Sequence, residues 1–174
     1  MPKAWAGGDD GFGNASKMEG RYFTVYYKSG VDINDLISQL KVSQTDQSLT
    51  GRMIDFSSPP KQLPSMLDVL FDRACDVLDM HVFSYKGNIK VFRTQKELVT
   101  FYNNLYHQAL PCTGFSFYLV DFNSIYISSE NFRREILGHE MGHAVMSSYF
   151  VVQPSIRIQE VLAGYVEYQL RKSQ

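Results

Sequence analysis

The chain has 174 residues, of which 44% are apolar and 14% aromatic, and its formal net charge is −1. This composition is typical of one globular domain, and the near-neutral charge gives no electrostatic reason to expect nucleic acid as a partner. No apolar stretch approaches the ~20 residues that a membrane-spanning helix requires, so we expect no membrane span.

The N-terminal stretch is rich in Gly, Asp and Asn, which is typical of loosely ordered segments. We therefore expect a flexible segment at residues 1–20 and a single domain over residues 21–174. Ala4-Trp5-Ala6 resembles the end of a signal peptide, but the apolar region that would precede it is absent. Export to the periplasm or medium and an ordinary mobile terminus both stay open.

The first half of the domain alternates strand and helix patterns. Aromatic and β-branched residues predict a strand at residues 22–27, and apolar residues at helical spacing predict a helix at residues 31–42. Breaker residues predict an irregular segment at residues 43–64. A stronger apolar stripe predicts a helix at residues 65–80, with Cys75 on its buried side.

Three more strands are predicted, at residues 88–93, 115–120 and Ser124–Ser128. Thr94 and Glu97 form a capping-box pattern that predicts a helix between the first two of these strands. Cys112 lies in a predicted loop, and the sequence leaves open whether it pairs with Cys75. Ser128 or Ser129 is expected to cap the helix that follows the last strand.

The most informative stretch is an apolar run at residues 136–145 that contains His139-Glu140-x-x-His143. On a helix, residues four apart leave the same face, so both imidazoles can bind one metal ion. Glu140 is rotated from His139 by roughly 100°. Its carboxylate can therefore reach a water molecule at the metal without being a ligand.

A second helix is predicted at residues 155–172, with Glu160 in its second turn. Zn²⁺ in a hydrolytic site takes three protein ligands, and two histidines with one glutamate are an established set. The alternative third ligand, a histidine six residues beyond the motif, is absent because Tyr149 stands there. We predict that His139, His143 and Glu160 are the zinc ligands.

These two motifs resemble those of the gluzincin zinc metallopeptidases, especially the small bacterial domains called peptidase MA-like. Their second motif commonly reads Glu-Gly-Leu-Ala-x-Tyr, and this chain matches it at Glu160, Leu162, Ala163 and Tyr165 but has Val161 in place of glycine. The resemblance implies a zincin-like α+β fold, with a small mixed sheet packed on helices around the motif helix. It also implies that residues 125–127 form the sheet edge that pairs with a peptide substrate.

Thermolysin-like members of that group carry an acidic residue four positions after the glutamate ligand, and it orients a ligand histidine. This chain has Gly164 there, so the orienting partner stays unidentified. Glu167 lies on a similar face of the helix and is one candidate. An ion pair with Arg171 at the surface is an equally good interpretation of Glu167.

The expected activity is zinc-dependent hydrolysis of peptide bonds in a peptide or protein substrate. Glu140 is the expected general base. Tyr165 is the tyrosine assigned to oxyanion stabilisation, with Tyr168 and Tyr149 as alternatives. Two other interpretations stay open: a zinc-binding gluzincin-like domain with latent or no proteolytic activity, and a non-catalytic domain in which the motif is structural.

Overall fold

The computed structural model describes residues 9–107 and 116–173, which form a mixed α+β fold. Ala4-Trp5-Ala6 and Cys112 lie outside the described residues. The helices are α1 (Ile33–Leu40), α2 (Gln44–Thr50), α3 (Pro59–Leu78), α4 (Gln95–Tyr106), α5 (Arg134–Tyr149) and α6 (Ile156–Lys172). The strands are β1 (Ser16–Glu19), β2 (Phe23–Tyr27), β3 (Gly87–Phe92), β4 (Ser116–Leu119) and β5 (Ser124–Ser128).

The five strands form one mixed sheet in the order β1-β2-β3-β5-β4. The three inner strands are parallel to one another, and β1 and β4 pair antiparallel at the two ends. The predicted mixed sheet is therefore confirmed, with four strands close to their expected bounds. Strand β1 was not expected. None of the helices within the described ranges has both the length and the apolar character to cross a membrane.

The N-terminal segment is part of the domain from residue 9 onward. Phe12 is buried at 4% exposure, and the carboxylate of Asp10 accepts hydrogen bonds from the Lys90 ammonium and the Tyr126 hydroxyl. The expectation of a flexible segment up to residue 20 is therefore wrong for residues 9–20. A buried ion pair and the strand β1 compensate for the polar, glycine-rich composition.

The segment expected to be irregular at residues 43–64 contains α2 and the first turn of α3. Ser43 and Asp46 form a capping box that starts α2, since each side chain accepts a hydrogen bond from the other's backbone N–H. Pro59 and Pro60 occupy the first turn of α3, where a missing N–H costs no helical hydrogen bond. The expected Ser128 or Ser129 cap is also wrong, because a 3₁₀ turn at Ser129–Asn131 precedes α5.

Strand β5 lies inside the sheet, between β3 and β4. All five of its residues are buried, since Ile125 and Ile127 join the core formed with α3 and α5 while Tyr126 packs among aromatic residues on the opposite face. Residues 125–127 are therefore not a sheet edge, and the predicted pairing of this strand with a peptide substrate is wrong. Strand β4 is the end of the described sheet on that side.

A buried ion pair fixes the start of α5. Arg134 is fully buried, and its two terminal nitrogens donate to the two oxygens of Asp46 at 3.0 and 3.1 Å. The same guanidinium donates to the carbonyl oxygen of Lys41 and to the hydroxyl of Ser173. The start of α5 is thus joined to the start of α2 and to the residue that follows α6.

Asp46→Ala should lower the free energy of unfolding by about 3–5 kcal/mol, because it leaves a buried guanidinium without a counter-charge. Burial raises the pKa of Asp46, but the hydrogen bonds from Ser43 and the charge of Arg134 outweigh it and hold this pKa below its ordinary value. The pair therefore stabilises the fold above the unfolded-state pKa of about 3.8, and this contribution is lost as pH falls through the lower folded-state pKa.

Urea denaturation at neutral pH and at decreasing acidic pH measures both effects. Lys17→Ala, at the exposed Lys17–Glu19 pair on β1, is the control and should leave the urea midpoint unchanged. Equal midpoints for Asp46→Ala and wild type would show that the buried pair contributes nothing to stability.

Candidate metal centre

Two glycines on α5 allow the backbone of α6 to approach closely. A Cβ atom at Gly138 would lie 2.2 Å from Cδ1 of Leu170, and one at Gly142 would lie 3.2 Å from Cα of Ala163. A leucine side chain can rotate away, but a backbone atom moves only with its helix. A side chain at position 142 would therefore push the two helices apart. Ala163 is one turn after Glu160 on the facing helix.

Gly142→Ala should push α6 away from α5, weaken metal binding and lower the free energy of unfolding by about 1–3 kcal/mol. The matched control is Gly164→Ala, where the added Cβ meets no atom within 4 Å. That variant should gain up to about 1 kcal/mol from helix propensity and keep its metal affinity. Urea denaturation in the presence of a chelator measures the free energy of unfolding. Competition with a chromogenic chelator measures the metal affinity. Equal stabilisation of both variants would exclude a tight contact at Gly142.

The close approach brings three potential ligand side chains together. The Nε2 atoms of His139 and His143 are 3.3 Å apart. Oε2 of Glu160 lies 3.4 Å from Nε2 of His139, and the other oxygen, Oε1, lies 3.3 Å from Nε2 of His143. Tetrahedral Zn²⁺ with bonds of about 2.0–2.1 Å separates its ligand atoms by about 3.3–3.4 Å. The Glu160 distances involve its two different oxygens; with one ligand atom from each residue, the three atoms lie within 4.8 Å of one another, so this donor set could hold one metal ion.

Glu167 contacts the other ring nitrogen of His139. Its Oε2 lies 3.1 Å from Nδ1 of His139, and its Oε1 accepts a hydrogen bond from Arg171. A carboxylate at Nδ1 keeps the proton there, so Nε2 presents its lone pair toward His143 and Glu160. Glu167 therefore makes both of the contacts considered from the sequence, one with His139 and one with Arg171. The acidic residue that is absent at position 164 is present one turn later on α6.

Glu167→Ala should lower metal affinity by about 10–100-fold, because His139 loses the carboxylate that fixes its ring and tautomer. Arg171→Ala is the control, since it removes the surface pair but keeps the carboxylate beside His139; its affinity should change much less. Chelator competition measures both. Equal losses of metal affinity in the two variants would show that metal binding depends on the ion pair between Glu167 and Arg171 and not on the contact with His139.

The protonation states at the site follow from burial. Burial, assisted by the neighbouring His139, holds the pKa of His143 below its ordinary value, which favours the neutral form that a metal ligand requires. Burial also raises the pKa of Glu140 to about 7, against the opposing effect of a hydrogen bond from Ser116. A carboxyl group with this pKa can both accept and return a proton near neutral pH.

Of the five site residues named from the sequence, four lie together. His139, Glu140 and His143 share α5, and Glu160 faces the two histidines from α6. Tyr165 is five residues after Glu160, which is roughly 140° around the helix, and it is 48% exposed. On a regular helix, Tyr165 therefore lies on a different side of α6 from Glu160. With Ile158, Val161 and Tyr168 it forms an exposed apolar stripe on α6.

Sequence reasoning missed Ser116, which contacts the site, and Gln159, whose side chain hydrogen-bonds to His143. The Ser116 hydroxyl donates a hydrogen bond of 2.6 Å to Oε1 of Glu140. Ser116 opens β4 and is 24 positions away in the chain, so no helical or strand spacing relates the two. The thiol of Cys75 has no such contact with the site: as expected it is buried, and burial raises its pKa to about 11.

Comparison with known proteins found no relative of this chain. No known family matches the chain, and neither a curated protein nor a solved structure matches it. The basis for assigning a function is therefore the candidate metal-binding group of His139, His143 and Glu160, with Glu140 beside it.

Proposed function

We propose that this chain is a zinc-dependent peptidase with a zincin-like fold of the gluzincin type. The observation that carries the proposal is the convergence of His139, His143 and Glu160, whose candidate ligand atoms, one from each residue, lie within 4.8 Å of one another. Two histidines without a metal-binding role are not expected to place their Nε2 atoms 3.3 Å apart and beside a carboxylate. The Glu167 contact at Nδ1 of His139 supports the same assignment.

The zinc ion, when bound, would act as a Lewis acid that lowers the pKa of water and polarises the carbonyl of the scissile peptide bond. Glu140 accepts a proton from the attacking water and delivers it to the leaving amine nitrogen. His139 and His143 bind as neutral imidazoles and Glu160 as a carboxylate. The group that stabilises the oxyanion besides the metal is not assigned to Tyr165, because of that residue's position on α6.

Strand β4 is the part of the sheet that could pair with an extended peptide. It ends the described sheet, and its first residue, Ser116, contacts Glu140. A peptide that hydrogen-bonds to the outer edge of β4 would therefore run past the proposed base. Backbone hydrogen bonds of this kind bind a peptide largely independently of its side chains.

A second candidate is a zinc-binding domain with latent or no proteolytic activity. It is favoured by the burial of Glu140, which is only 6% exposed, because a general base needs access to the attacking water. Both candidates predict the same metal site. They differ in whether the purified protein cleaves a peptide bond.

The test uses purified protein equilibrated with Zn²⁺ and then desalted. We expect about one zinc per chain by elemental analysis, and cleavage of an unstructured protein such as casein that a chelator stops and added Zn²⁺ restores. Stoichiometric zinc without cleavage would favour the latent domain. A protein that retains no zinc, or cleavage that resists the chelator, would exclude both candidates.

A further inference from the structure

Strand β4 is attached to α5 by two side chains on the same face. Ser116 donates to Oε1 of Glu140 at 2.6 Å, and the hydroxyl of Tyr118, two residues later, lies 2.9 Å from the hydroxyl of Ser147. Alternate residues of a strand point to the same side, which is why both reach the helix. Phe117, between them, points to the opposite side and stacks on Tyr126 at a ring-centroid distance of 4.9 Å.

The bond from Ser116 fixes a carboxylate that would otherwise be able to move. Within residues 9–107 and 116–173, the Ser116 hydroxyl is the hydrogen-bond donor to the side chain of Glu140. A buried carboxylate needs such a partner, because burial without a hydrogen bond carries a large desolvation cost. A bond of 2.6 Å to a carboxylate is in the short, strong range for a hydroxyl donor.

We propose that Ser116 is a positioning residue for the reaction: it holds Oε1 of Glu140 so that the carboxylate serves as a base and does not become a metal ligand. This inference rests on the proposed peptidase function. Zinc in a hydrolytic site keeps one open position, and carboxylate oxygens are competent zinc ligands. A glutamate next to a ligand histidine in sequence is a ready competitor for that position.

The proton path that follows uses both oxygens of Glu140 differently. Oε1 is occupied by the Ser116 hydroxyl, so Oε2 is the oxygen left to take a proton from the attacking water. The same proton is then transferred to the amine nitrogen as the C–N bond breaks, which returns Glu140 to the carboxylate. Ser116 keeps its own proton throughout and exchanges no atom with the substrate.

The sharpest test is the pair Ser116→Thr and Ser116→Val, which have nearly the same shape and differ by one hydroxyl. Both residues suit a β-strand, so neither is expected to disturb folding. The threonine variant should retain most of the wild-type kcat. The valine variant should lose about 10–100-fold in kcat, the range for partners of metal-site groups, with KM and zinc content nearly unchanged. Ser147→Ala, which removes the other attachment of β4, should leave kcat within a few-fold of wild type.

A second readout does not depend on activity. In the Co²⁺-loaded protein, the visible absorption of the metal depends on which groups bind it, so its bands shift when a carboxylate takes the place of the metal-bound water. Ser116→Val should show this shift, while Ser116→Thr should match wild type. The additional substitution Glu140→Gln in the valine variant should reverse the shift, since an amide is a poorer ligand than a carboxylate.

The outcomes separate this inference from the function on which it rests. If the wild-type protein binds neither Zn²⁺ nor Co²⁺, the proposed function fails and the inference fails with it. If wild type binds metal and the valine variant has the same kcat and the same Co²⁺ spectrum, the inference alone is overturned. A valine variant that cleaves faster than wild type would also overturn it, because Ser116 would then restrain the base.

Discussion

Glu140→Gln should lower the proposed peptidase activity by two orders of magnitude or more while leaving the fold and the zinc content intact. Glutamine keeps the size, helix propensity and hydrogen-bonding capacity of glutamate but cannot accept a proton at neutral pH. General acid–base groups typically contribute about 10²–10⁴-fold to rate. The amide oxygen can still accept the hydrogen bond from Ser116, so the contact between β4 and α5 should persist.

The comparison requires kcat/KM on an unstructured protein substrate, zinc content by elemental analysis and a circular dichroism spectrum for wild type and variant. Glu135→Gln, on the first turn of α5 and outside the ligand set, is the matched control and should keep wild-type activity. Equal cleavage by wild type and Glu140→Gln would show that the activity comes from a contaminant or that another group is the base.

His143→Ala should abolish stoichiometric zinc binding and all chelator-sensitive cleavage. Only one imidazole and one carboxylate remain in this variant, on two different helices, and this pair should not hold the ion against desalting. Glu160→Ala should bind zinc too, but much more weakly than wild type, since both histidines stay in place on α5. The contribution of the metal to stability is RT ln(1 + [Zn²⁺]/Kd). Added zinc should therefore raise the melting temperature of wild type but not that of His143→Ala.

His81→Ala is the control for these two variants. His81 is an exposed histidine near Asp76 and Asp79, and it has no contact with the metal centre among the described residues. Its removal should change neither the zinc content nor the zinc-dependent shift in melting temperature. If His143→Ala and Glu160→Ala both retain one zinc per chain, the ligands have been misassigned.

The parts of this molecule that sequence predicted well are those whose signal is local. His139 and His143 are four residues apart, so the helical repeat alone predicts that they share a face. The second helix was also recoverable, because Ser155 caps it and its side chain accepts from the N–H of Ile158. Glu160 then falls on a face that a short connection after α5 can bring to the histidines.

Where local signals were misread, the structure gives the physical reason. Ser43 and Asp46 are a capping box with aspartate in the role usually taken by glutamate, and Pro59 marks the start of a helix as well as a break. Ile125, Tyr126 and Ile127 are apolar on both faces of their strand, which is typical of a strand covered on both sides. That pattern indicates the middle of a sheet, and the resemblance to peptidases had suggested its edge.

The remaining contacts carry no local signal at all. Ser116 reaches Glu140 from another strand, and Asp46 meets Arg134 across 88 positions of the chain. Which serine or aspartate makes such a contact depends on how the whole sheet packs on α5. Gly138 and Gly142 were visible as glycines in a helix, but the need for them appears only once Ala163 and Leu170 are seen against them.

The packing of α5 on α6 confines every predicted metal ligand to a helical hairpin between residues 139 and 160, whereas the partner of the base comes from the sheet. Substitutions in the hairpin should therefore change the affinity for the ion. Substitutions in β4 should change the rate of peptide hydrolysis. The two properties can be lost one at a time. A descendant of this protein with an apolar residue at position 116 should therefore bind zinc as wild type does and cleave peptide bonds more slowly.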